Sequence, residues 1–193
     1  MRTKHRNPII VPEGTEQVLL HACCAPCSSA IVEWMLQHGI QPTIYYYNPN
    51  IFPREEYEIR KQESKRHAES LGVRWIDGDY DHAGWLGCVK GLEGEPERGS
   101  RCEQCFRMRL KAAAEEAVRQ GLRVFTTTLA SSRWKSLDQI ERAGLAAQAQ
   151  VPGTLFWAQN WRKGGLYERR NQLLHEYAFY NQQYCGCEFS IRI

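Results

Sequence analysis

Short apolar runs separated by longer stretches of helical period dominate the chain. Gln17 to Ala22 (QVLLHA) has the length and composition of a short buried strand. Ser28 then opens an amphipathic helix to about His38, with Ile31, Trp34, Met35 and the preceding Cys27 near one face and Gly39 as its stop. Thr43 to Tyr47 (TIYYY) is a second strand. Arg54 to about Leu71 is a long charged helix carrying Tyr57, Ile59 and Ala68, stopped by Gly72, and Val73 to Ile76 a third strand. Tyr80 to Val89 fits a short helix and Lys90 to Ser100 a turn-rich loop. Cys102 to Gln120 is a helix closed by Gly121. Arg123 to Thr128 is a strand, Leu137 to Gln150 a helix, Thr154 to Ala158 a strand, and Leu166 to Gln183 a last helix. Strands joined by helical crossovers predict an α/β fold, an open and mainly parallel sheet with helices on both faces. Residues 1–16, with Pro8, Pro12 and Gly14 and no periodicity, predict an arm, and residues 17–193 a single domain.

Composition narrows the class. With 42% hydrophobic positions and a formal charge of +3, the chain is too apolar and too nearly neutral to be disordered. No apolar stretch approaches the ~18–20 residues of a membrane span. The basic start MRTKHRNPII lacks the apolar core of a secretory signal, so a soluble, cytoplasmic protein is expected. The small positive charge permits an anionic partner without demanding one.

Eight cysteines change the picture. In a chain able to bury a full core, clustered cysteines point to metal or redox chemistry rather than to disulfide staples. Cys23, Cys24 and Cys27 lie together, as do Cys102 with Cys105 and Cys185 with Cys187; Cys88 stands alone and is expected to be a buried small hydrophobe. Ligands of open α/β sheets bind beyond the carboxyl ends of strands, where HACCAPC, NPN and TTLASSRWKS follow the first, second and fourth strands. Two ligand sets compete. Cys24-x-x-Cys27 with Cys102-x-x-Cys105 has the form of a four-thiolate zinc site. Cys23 and Cys24 with Cys102 and Cys105 would suit the wider cage of an iron–sulfur cluster. Both place Cys102 and Cys105 at a helix start, where the dipole favours thiolate. His21 precedes the first group and could make an outer hydrogen bond to it. Cys185-Gly186-Cys187 suits an easily reduced, redox-cycling dithiol.

Several stretches, in order from about residue 19 to 187, carry a resemblance: LHACCAPCS, YYYNPNIFPREEYEIRK, GLEGEPERGSRCEQCFRMRL, TTLASSRWKS and NWRKGGLYERRNQLLHEYAFYNQQYCGC. Together they resemble the cobalamin-independent, iron–sulfur epoxyqueuosine reductases. The resemblance implies reductive removal of the epoxide oxygen from epoxyqueuosine at the tRNA wobble position, and a fold like the adenine-nucleotide alpha-hydrolases. It implies a [4Fe–4S] cluster on Cys23, Cys24, Cys102 and Cys105, and a dithiol of Cys185 and Cys187 near the active site. Some similar members carry Asp at position 27, where it looks like a ligand to an additional iron. Thiolate also binds iron, so Cys27 leaves that extra metal open. The electron donor is not identified.

A tRNA substrate calls for phosphate contacts and stacking surfaces. Arg133, Lys135, Arg162, Lys163, Arg169 and Arg170 are candidate phosphate partners, and Tyr46, Asn48, Asn50 and Trp134 candidate stacking or polar contacts. The run Arg54 to Arg66 fits an ordinary solvated helix face. Neither GxxxxGK[ST] nor a GxGxxG after a strand is present, so no ATP or NAD site is predicted. Two other readings use the same residues: a zinc-stabilised, non-enzymatic RNA-binding module, and a general thiol–disulfide oxidoreductase working through Cys185 and Cys187.

Overall fold

A computed structural model describes residues 9–191. Its strands are β1 (Gln17–His21), β2 (Gln41–Tyr46), β3 (Arg74–Asp77), β4 (Val124–Thr127) and β5 (Leu155–Phe156). They form one parallel sheet in the order β3-β2-β1-β4-β5. Val18, Leu19 and Leu20 on β1, Ile44 on β2 and Phe125 on β4 are buried on both sheet faces. That is why these strands read as continuous apolar runs rather than as alternation.

The helices are α1 (Ala25–Gln37), α2 (Arg54–Ser70), α3 (His82–Cys88), α4 (Ser100–Arg119), α5 (Leu137–Gln150) and α6 (Leu166–Glu176). Helix α1 packs with α2 and α6, and α4 packs with α5, so the sheet is flanked by helices. The direction of crossover reverses between β1 and β4, and the crevice beyond their carboxyl ends is the expected ligand position. Among the described residues no helix is long and apolar enough to cross a membrane. Of the arm expected over 1–16, residues 1–8 lie outside the described residues. Ile9 and Val11 pack against the core, and the Trp157 indole donates to the Ile10 carbonyl at 2.8 Å.

Local differences from the expected elements have physical causes. Helix α1 starts at Ala25 instead of Ser28, because Pro26 in the first turn is pre-set for helix and loses no hydrogen bond there. Helix α6 ends at Glu176 instead of Gln183. Ala178 takes a left-handed conformation (φ 50°), and the Ala178 and Phe179 N–H groups turn back to the His175 and Leu174 carbonyls. The solvated face expected over Arg54 to Arg66 is half wrong: Glu56, Arg60 and Ser64 are buried, while Ile59 is exposed. Tyr46 is fully buried in the core, its hydroxyl donating to the Tyr57 carbonyl, and is therefore no stacking surface.

Where α5 meets β5, a Cβ added at Gly144 would stand 2.2 Å from the Phe156 ring. Gly144→Ala should therefore destabilise the fold by about 1–3 kcal/mol, although alanine is the better helix former. Chemical denaturation checks this, and Gly144→Ala with Phe156→Leu should recover most of the loss.

Tyr177 and Phe179, just past α6, close edge-on around the buried His67 of α2. Burial, then the charge of Arg66, lowers His67 from 6.5 to about 4. A depressed folded value means that the unfolded chain binds the proton first. Stability is whole above about pH 6.5 and falls as the pH drops toward 4. His67→Phe should flatten this acid limb by about 2 kcal/mol between pH 7 and 4.5, measured by urea denaturation against the parent protein.

Candidate active site

The first sulfur group is made by the turn from β1 into α1. Cys24 is extended (φ −172°) at the helix N-terminus, and its carbonyl accepts from the Ser28 N–H at 3.2 Å. This brings Cys27, in the first turn, back beside its neighbours. The sulfurs of Cys23, Cys24 and Cys27 lie within 4.8 Å of one another, with Cys23 and Cys24 3.8 Å apart. Hydrogen bonds from Cys24 and Cys27 pull the Cys23 thiol well below its ordinary value. The same hydrogen bonding to Cys23, with burial behind it, drives the Cys24 thiol up and the Cys27 thiol up to about 11.

The second group joins the start of α4 to the segment after α6. Cys105 and Cys187 pack in one apolar cluster with Trp85 and Val89. Burial first, and then the neighbouring Cys185 and Cys105, pushes the Cys102 thiol up and the Cys187 thiol up to about 11. Cys88, expected to be buried, is exposed at the end of α3 and donates to the Gln104 carbonyl at 4.0 Å. All eight cysteines are free thiols.

Each of four cysteines accepts a hydrogen bond from a non-sulfur donor. The Thr128 hydroxyl donates to Cys23 at 3.4 Å, and the Gln182 amide to Cys24 at 3.0 Å. The Arg98 backbone N–H donates to Cys102 at 3.3 Å, and the Arg109 guanidinium to Cys105 at 3.9 Å. Donors of this kind stabilise thiolate. The buried Cys23, Cys24 and Cys27 trio can hold a metal ion. Thiolates on one tetrahedral ion at about 2.3 Å stand about 3.8 Å apart, the separation of the Cys23 and Cys24 sulfurs. Among the described residues this trio is the one group of three or more His, Cys, Asp or Glu donors at such spacing, and Cys102 and Cys105 are outside it. The zinc set of Cys24, Cys27, Cys102 and Cys105 is thus not assembled around a single-ion position. A cluster needs no such spacing, because it binds each thiolate at a separate iron.

A cavity of about 420 Å³ opens over the crevice, lined by Cys23, Cys27 and Cys185 together with Arg60, Arg109 and Lys135. Burial alone would lower Lys135, but the charges of Cys185, Cys23 and Cys27 outweigh it and raise the ammonium above its ordinary value. Asn50 lines the cavity with its Oδ1 buried and without a partner. Asn48 is fully buried, and its amide is spent internally: Nδ2 donates to the Ala22 carbonyl at 2.9 Å, and Oδ1 accepts from Arg109. Among the described residues, His21 likewise makes no hydrogen bond to a sulfur. Its Nε2 donates to the Tyr47 carbonyl at 3.0 Å, so Nδ1 accepts from the Thr127 hydroxyl at 2.8 Å.

The segment after α6 forms one cavity wall and is clasped by α2. Arg60 pairs with Glu56 at 2.7 Å and donates to the Tyr184 and Cys185 carbonyls at 3.2 and 3.3 Å. Glu56 also accepts from the Tyr180 hydroxyl at 2.8 Å. The Phe52 N–H donates to the Gly186 carbonyl at 2.9 Å, and the Tyr184 hydroxyl donates to the Phe52 carbonyl. Gly186 is required here: its φ is +132°, and a Cβ would meet Ile51, Arg60 and Asn50 at 3.1–3.3 Å.

The opposite wall is the loop 131–136. Arg98 donates to the Arg133 and Trp134 carbonyls, and Arg162 to the Ser132 and Lys135 carbonyls. Arg162 is thus a brace, where a phosphate contact was expected. Between the braces Trp134 is 57% exposed, with the Arg133 guanidinium 5.4 Å from its ring centroid. Lys163 is exposed and Arg170 lines the cavity. Arg169 is engaged by Glu33 and Glu176, which fill its hydrogen-bonding fork, so it offers nothing to a phosphate.

Sequence reasoning missed Arg60, Arg98, Arg109, Thr128 and Gln182. One signal was available: Arg109 follows Cys105 by four residues, on the same helix face.

The chain matches the family model described as "Epoxyqueuosine reductase QueH" over residues 18–192. It is 46% identical over 187 residues to the epoxyqueuosine reductase QueH of Haemophilus influenzae, spanning 97% of this chain and 76% of that one. The protein of that name from Acinetobacter baylyi is 44% identical over 190 residues, 98% of this chain and 87% of the relative. The Thermotoga maritima protein is 37% identical over 179 residues, 90% of each. With the sulfur-lined crevice, these matches mean that the chain is an oxidoreductase and belongs to the epoxyqueuosine reductase QueH family.

Proposed function

We propose that this enzyme reduces epoxyqueuosine to queuosine at the wobble position of tRNA in the cytoplasm, using a [4Fe–4S] cluster and a dithiol. The observation that carries the reading is that Cys23, Cys24, Cys102 and Cys105 each accept a hydrogen bond from a different, non-sulfur donor. Those four residues would hold the cluster, and Cys27, whose sulfur lies within 4.8 Å of those of Cys23 and Cys24, would bind an additional iron. When bound, such a cluster supplies single electrons at low potential.

The chain's own residues do the rest. Expelling the epoxide oxygen as water consumes two electrons and two protons. Closing Cys185 and Cys187 into a disulfide releases two of each, and an external reductant must reopen it. Lys135 keeps a proton at the thiol-lined wall of the cavity. Asn50 Oδ1 accepts from a donor of the modified base. Arg133 and Trp134 take the flanking anticodon nucleotides by charge and stacking.

Anaerobic incubation of iron-loaded protein with epoxyqueuosine-containing tRNA and a reductant, followed by nucleoside mass spectrometry, should show loss of one oxygen. An unchanged nucleoside would sink the reading. Serine at both Cys185 and Cys187 should reduce multiple turnover more than tenfold while leaving iron content intact; unchanged turnover removes the dithiol from the scheme.

A further inference from the structure

We propose that Arg109 sets the reduction potential of the cluster, acting through Cys105 as a positioning and charge-balancing residue. The inference rests on the cluster reading above. A buried guanidinium is normally matched by a carboxylate, because an unpaired charge in the interior is costly. Arg60 follows that rule through Glu56. Arg109 is as deeply buried, at 2% exposure, and among the described residues it forms no ion pair. Nη1 donates to Cys105, Nη2 donates to Asn48, and Nε has no partner although it is buried.

The placement is specific. Arg109 lies one helical turn beyond Cys105, and Asn48 passes the contact on to the carbonyl of Ala22, the residue before Cys23. Among the described residues, one guanidinium is therefore linked by hydrogen bonds to both proposed ligand segments, and the only acidic side chain it contacts is a thiol. Adding an electron to a cluster adds negative charge, and a fixed cation with an N–H···S bond favours that form in a low-dielectric site.

The test is a potentiometric titration of the holoenzyme followed by electron paramagnetic resonance. At a fixed applied potential, Arg109→Gln should lower the ratio of reduced to oxidised cluster about tenfold, equal to about 59 mV in a one-electron couple. Arg109→Lys keeps the charge but cannot reach Asn48 and Cys105 together, so about a threefold drop is expected. Arg107→Gln, on the same helix and paired outward with Glu103, should leave the potential unchanged. A wild-type potential in whichever Arg109 variant folds and loads iron would overturn the inference while leaving the cluster reading standing. An iron-free wild-type protein would overturn the cluster reading itself, and this inference with it.

Discussion

Replacing Cys105 with serine is expected to bleach the anaerobically loaded protein and cut its conversion of epoxyqueuosine tRNA by about 100-fold or more. The reasoning is geometric. Cys105 is buried in the first turns of α4, among Trp85, Val89 and Cys187, and accepts from Arg109. Serine keeps the size of the side chain but offers a hard oxygen where iron requires soft thiolate. The fold should survive, at a cost of about 1–2 kcal/mol for a hydroxyl in an apolar cluster. Far-ultraviolet circular dichroism should therefore be unchanged while visible absorption and iron content fall. Cys88→Ser is the matched control, because Cys88 is exposed and outside both sulfur groups. Equal iron loading in Cys105→Ser and the parent protein would remove Cys105 from the ligand set.

Arg60→Ala should destabilise the protein by about 3–5 kcal/mol, since it strands the buried Glu56 carboxylate without its cation. The local consequence is larger than the global one. Arg60 holds the carbonyls of Tyr184 and Cys185 and stacks on the Tyr184 ring, so its loss frees the wall that carries Cys185. Limited proteolysis should then cut within residues 177–187 at least tenfold faster than in the parent protein. The double variant Glu56→Leu with Arg60→Met should recover most of the stability by removing both charges together, yet leave the wall loose. Urea denaturation and cleavage rates separate the two effects. A double variant as protease-resistant as the parent would show that the clasp does not hold this segment.

The parts of the fold legible in the sequence are those whose signal is local. Val18 to Leu20 announce a doubly buried strand because a parallel sheet hides both faces, and Leu137 to Gln150 forms the expected helix with the same bounds. The early end of α6 was not legible. No glycine or proline marks it, and the left-handed Ala178 is imposed by Tyr177 and Phe179 packing on His67, a residue of another helix. Arg60 failed for the same reason. In a run of charged residues it looks solvated, and its partners at Tyr184 and Cys185 lie 124 and 125 residues away. Asn48 was recognised as important, but its role inside the protein depends on Arg109 across the crevice. The grouping of Cys23, Cys24 and Cys27 followed from adjacency alone, whereas Cys105 beside Cys187 is a product of the tertiary fold.

The six tryptophans are very unequally placed. Trp85, Trp157 and Trp161 are buried, and Trp34 and Trp75 are partly covered, which leaves Trp134 as the strongly hydrated indole. It projects from a loop whose backbone is tied down by Arg98 and Arg162, so its surroundings change little unless something settles against it. The long-wavelength edge of the intrinsic emission, and its quenching by iodide, therefore report almost wholly on this one ring. Should tRNA settle on this loop as proposed, that emission would gauge its docking without any attached dye.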